Sequence, residues 1–154
     1  MNKINLYEKL GLNQYYWGGA SETKNAQFDI TSKIDVLDAV DKICSEEGLS
    51  PLGDEWNQIN YNNFKKILTK ALQYNLGFTN FEVMPHNKAI EIYTELVKNF
   101  NEKECLCFTN WFNNPWEKKN TGSSFNSVSD NTMDMVICIV DNKKLLFIYF
   151  LFED

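Results

Sequence analysis

Two apolar runs near the end of the chain limit its fold more than any other feature. They extend from about Thr132 to Val140 and from Leu145 to Phe152, with only Asp141-Asn142-Lys143-Lys144 between them. Each run is short, β-branched and aromatic, which favours strand over helix. Asp141 and Asn142 both tolerate the left-handed backbone of tight hairpin turns. The segment therefore predicts a β-hairpin apolar on both faces. Such a hairpin cannot stand alone in water. Its strands are covered on both sides or lie in the middle of a sheet, and the hairpin must join the Glu104–Phe112 strand and pack under the helices.

Leu145–Phe152, the longest uncharged apolar run, falls far short of the roughly 20 residues that cross a bilayer as a helix. No membrane partner is expected. The N-terminal MNKINLYEKLGLNQYYW lacks the continuous apolar stretch of a signal peptide. The expected compartment is thus the cytoplasm, with Cys44, Cys105, Cys107 and Cys138 reduced.

Helical spacing marks three segments upstream. From Thr31 to about Glu47, the residues Val36, Leu37, Val40, Ile43 and Cys44 form one stripe, Thr31 or Ser32 can cap, and Gly48 stops the helix. From about Tyr61 to Tyr74 the stripe is Tyr61, Phe64, Ile67, Leu68, Ala71 and Leu72, with Asn60 as cap. From Asn87 to Phe100 it is Ile90, Tyr93, Leu96, Val97 and Phe100, with Asn87 as cap. A short helix can hold Leu6, Leu10 and Leu12, broken by YYWGGAS, where paired glycines favour a turn. Glu104–Phe112 is rich in strand formers, and a long polar loop follows it. These elements predict one α+β domain over residues 1–154, with N-terminal helices packed on a C-terminal antiparallel β-sheet.

Charge narrows the function. The formal net charge is −6, and all fifteen basic residues are lysines. An acidic surface repels phosphate, so nucleic acid is not an expected partner. The same surface suits a basic protein.

Reaction chemistry finds little purchase. Cys105 and Cys107 are spaced C-x-C, whereas zinc sites use C-x₂-C pairs or clustered His and Cys, and His86 is the lone histidine. Cys44, Cys107 and Cys138 read as small buried apolar side chains. No metal or other cofactor is expected. There is no G-x-S-x-G stretch and no glycine-rich phosphate loop. His86 with a carboxylate is the one route to a small hydrolase or nuclease, and it is kept as the alternative function. A regulatory subunit of a larger assembly is a third class. Among the aromatics, Tyr15, Tyr16 and Trp17 cluster near the N-terminus, and Trp116 sits in a polar loop where an interface anchor would.

The last stretch, TGSSFNSVSDNTMDMVICIVDNKKLLFIYFLFED, holds Gly122, then Asp130 and Thr132 leading to Asp134, the apolar VICIV, the Asp141-Asn142-Lys143 turn, a final strand and the acidic pair Glu153-Asp154. In these features it resembles the C-terminal part of immunity proteins of bacterial contact-dependent growth inhibition and related polymorphic toxin systems. The resemblance implies a non-enzymatic protein that binds a cognate toxin domain, often a nuclease with a basic cleft, in the cytoplasm. Acids that could supply a matching field are Asp35, Asp38, Asp41 and Glu46 on the first long helix, and Asp130, Asp134, Glu153 and Asp154 near the C-terminus. Trp116 would add apolar burial.

Overall fold

The computed structural model describes residues 2–117 and 124–153. In chain order these form β1 (Asn2–Asn5), α1 (Leu6–Lys9), β2 (Trp17–Lys24), α2 (Lys33–Glu46), β3 (Asn57–Ile59), α3 (Tyr61–Gln73), α4 (His86–Val97), β4 (Leu106–Thr109), β5 (Met133–Val140) and β6 (Leu145–Phe152). The class is α+β. The six strands make one antiparallel sheet in the order β1-β2-β6-β5-β4-β3.

The predicted hairpin lies at the centre of that sheet. Successive residues of a strand point to opposite faces, and both faces are covered here. Met135, Ile137 and Ile139 pair with Phe150, Ile148 and Leu146, and join α3 and α4 in one core. Val136, Cys138 and Val140 alternate with them and join Phe147, Leu145 and the stripe of α2 in a second core. The sheet is thus the middle layer of three, which explains why neither apolar run alternates with polar residues.

The turn differs from the tight left-handed form expected. Neither Asp141 nor Asn142 has a positive φ. Four residues close the hairpin, and the Asp141 carboxylate organises them by accepting from Lys143 N (2.9 Å) and Lys144 N (2.8 Å). A side-chain acceptor that holds two successive amides replaces the special backbone conformation.

The N-terminal third departs most from expectation. YYWGGAS does not turn; its last five residues run into β2, which hydrogen-bonds along β6 from Trp17↔Leu151 to Thr23↔Leu145. The glycines serve close approach. A Cβ on Gly18 would lie 2.1 Å from the Tyr149 carbonyl oxygen, and one on Gly19 would lie 2.5 Å from the Tyr149 ring. Helices therefore do not precede the sheet: β1, β2 and β3 interleave with them and supply strands on both flanks of the hairpin.

Helix ends follow local chemistry. Asn60 caps α3 by accepting from Asn63 N at 2.8 Å. Gly48 ends α2 at φ +76°, with Leu49 N bonded to Cys44 O (2.8 Å) and Gly48 N to Ser45 O (3.2 Å), the Schellman arrangement. Ser32 holds the N-cap position of α2, but its side chain makes no cap bond. In α4 the cap is Pro85, not Asn87, and the buried stripe is Ala89, Ile92, Tyr93 and Leu96 in place of the Ile90 line. Ile90 and Ile92 lie on opposite sides of that helix, so its sequence permits either rotation and packing on the sheet selects one.

Candidate functional site

A cavity of about 240 Å³ opens where the start of β2, the end of α3 and the end of β6 meet. Tyr15, Tyr16 and Trp17 form one wall, Ala71, Asn75 and Leu76 another, and Met135 with Phe150, Leu151, Phe152 and Glu153 the floor and lip. Trp116 closes it from the loop after β4. Sheet pairing is what brings the N-terminal aromatics here, because Trp17 is registered opposite Leu151. The Tyr16 ring meets Phe150 edge-on at 5.1 Å, a favoured aromatic geometry.

Two polar atoms on this lining lack partners. The Tyr16 hydroxyl and the Trp116 indole N–H are both buried without a hydrogen bond. Leaving such a group unmet costs about 1–3 kcal/mol. Burial pushes the Tyr16 hydroxyl well above the usual phenol range, with Tyr15 and Tyr7 adding to the effect, so it stays neutral. The Tyr7 hydroxyl donates to the Tyr16 backbone carbonyl and pins that residue in place.

The surroundings are unusually apolar for a surface. Trp17 is 60% exposed, and Phe78 and Phe81 are 61% and 62% exposed. Phe78 packs edge-on against Phe152 of the cavity lip at 5.3 Å. Among the described residues Glu153 is the one charged member of the lining, and its carboxylate accepts from the Thr132 hydroxyl at 3.1 Å. A second, wider depression of about 450 Å³ lies along β3, where Asn57, Gln58, Asn60, Asn63, Asn113 and Asn114 surround Ile59 and exposed Phe112.

The acids expected to face a partner divide sharply. Asp35, Asp38 and Glu46 are exposed on α2, on the sheet face opposite α3, and Glu46 pairs with Lys3 at 3.5 Å. Asp41 on the same helix turns to internal work. It accepts from Leu52 N (3.1 Å), Gly53 N (3.0 Å) and Trp56 Nε1 (2.7 Å), and so ties the following loop to the helix. Asp130 is exposed, and Asp154 lies outside the described residues, as does Gly122. Asp134 is a correction: it is fully buried and no part of any surface. Its carboxylate accepts from Asn110 Nδ2 (2.8 Å), Ser127 Oγ (3.0 Å), Ser129 Oγ (2.6 Å) and Val128 N (3.2 Å). An acid amid apolar strand residues signals such a buried network as readily as it signals a surface.

His86 is exposed at the start of α4. Its Nδ1 lies 3.0 Å from Gln73 Oε1, and Gln73 Nε2 donates to Glu82 Oε2 at 3.1 Å. The ring thus meets an amide, with no hydroxyl or thiol in that chain of contacts. Cys44, Cys107 and Cys138 are buried and free, and Cys105 is half-buried. Burial pushes the Cys44 thiol up to about 12, while a hydrogen bond from Cys107 lowers Cys105. Among the described residues no three His, Cys, Asp or Glu converge as metal ligands would, and no helix is long and apolar enough to cross a membrane.

Tyr15, Tyr16, Trp17 and Trp116 stood out in the sequence as aromatic clusters, but their union could not be seen there. Phe78 and Phe81 were missed, although GFTNFE sets two aromatics in a polar loop. The chain matches no known family model, curated protein or solved structure.

Proposed function

We propose that this chain is an immunity protein, a cytoplasmic inhibitor that binds a cognate bacterial toxin domain and carries out no reaction itself. The observation that carries the reading is the aromatic cavity with exposed Trp17 in its wall and exposed Phe78 against its lip, on a protein of net charge −6. Large aromatics at low side-chain entropy cost are the anchors of protein interfaces. Exposed as they are here, they favour a macromolecular partner over a solvated surface. The acidic balance supplies the field that draws a basic partner and repels nucleic acid. Asp35, Asp38 and Glu46 steer from α2, Asp130 from the loop before β5, and Glu153 acts at the cavity itself. The toxin is then a nuclease whose basic cleft normally holds phosphate. The family assignment itself rests on the resemblance of the segment that ends in the β5–β6 hairpin.

The test is co-expression with the toxin domain encoded beside this gene. Restored growth and copurification of the two chains are expected. Cells that die despite abundant folded protein, with no complex recovered, would end the proposal.

A further inference from the structure

We propose that the aromatic cavity receives the guanidinium of an arginine side chain inserted by the partner protein; this deepens, and rests on, the protein-binding reading above. Size is the first argument. At about 240 Å³ the cavity is small beside the roughly 300–1,000 Å³ of sites for cofactors and drug-sized ligands, and it suits one side chain.

Chemistry is the second. Ring faces attract a cation, and among the described residues the lining carries one charge, the carboxylate of Glu153. A guanidinium is planar, stacks on aromatic rings, sheds water more readily than an ammonium and meets a carboxylate with two parallel donors. It also answers the buried Tyr16 hydroxyl, which can accept one further N–H. The Trp116 indole N–H needs an acceptor, which no guanidinium has. The main-chain carbonyl of the inserted residue supplies it. One residue of a partner chain thus satisfies both orphaned atoms.

Composition is the third. None of these 154 residues is an arginine, so neither they nor the same residues of a second copy can fill the site in this way. The occupant belongs to a different protein, and the net charge of −6 favours a basic one.

The probe is N-acetyl-arginine N-methylamide, titrated into the full ¹⁵N-labelled protein, with the neutral isostere N-acetyl-citrulline N-methylamide beside it. The indole N–H resonance of Trp116 should shift and saturate with the arginine compound. The citrulline compound should bind at least about fivefold more weakly, and Glu153→Gln should weaken arginine binding by a similar factor. Glu153 is exposed, so that variant keeps its fold. Equal affinity for the two compounds, or no shift at Trp116, overturns the assignment. Growth protection is scored separately. A protein that protects cells but shows no arginine preference loses the pocket assignment alone. One that prefers arginine but protects no cell loses the toxin reading alone.

Discussion

Asp134 and Asp38 are both aspartates in an acidic protein, yet their environments assign them opposite work. Asp134 gathers Asn110, Ser127, Val128 and Ser129 around one buried carboxylate, and Asn110 in turn donates to Asn126 O (2.9 Å) and accepts from Val136 N (2.7 Å). Replacing it with alanine leaves several buried donors unmet. Asp134→Ala should cost about 3 kcal/mol in urea unfolding, while exposed Asp38→Ala should stay within about 0.5 kcal/mol. A partner that steers on α2 should feel the second change mainly in its association rate. If Asp134→Ala is as stable as the wild type, the network is not structural. At this scale the sequence was partly legible. Trp116 stood out because large aromatics are rare in polar loops. The fate of Asp134 did not, because burial depends on Asn110 and Ser127, and only the folded sheet and loop bring those groups to it.

At the scale of elements, the glycines divide by what they do. Gly18 admits the backbone of β6, with the Tyr149 carbonyl where its side chain would stand. Gly48 has open space around it and is needed for its φ of +76°. The same substitution therefore has different costs. Gly18→Ala should lose about 3 kcal/mol by forcing the two strands apart, and Gly48→Ala about 1 kcal/mol from left-handed strain alone. Thermal unfolding of the two variants measures both, and the reverse order would refute the close-approach account of β2. That account also explains why β2 was hidden. Paired glycines signal turns unless a neighbouring strand needs the room, and the neighbour lies more than a hundred residues away. The stripe of α2 was fully legible, because Val36, Leu37, Val40, Ile43 and Cys44 admit only one buried face. That of α4 was not, since Ile90 and Ile92 compete.

For the whole molecule, the controlling fact is that β5 and β6 form the centre of a three-layer structure. Exchange of the amides of Ile137, Cys138, Phe147 and Ile148 should require global opening, so these should be the slowest to exchange by NMR. Faster exchange there than in α2 would show that the layers open separately. The hairpin followed from the sequence, because residues apolar on both faces must be covered; its central place was one of two arrangements that pattern allowed. The order of its neighbours did not follow, since β3 is three residues long and β1 and β2 lie far upstream.

The central place of β6 also sets a condition on synthesis. Phe150, Phe152 and Glu153 complete the cavity, and β6 alone joins β2 to the other half of the sheet. A ribosome that stalls before Leu145 leaves the aromatic triplet Tyr15-Tyr16-Trp17 without its opposing wall. On the function proposed above, a copy cut short there lacks the surface that would meet the partner.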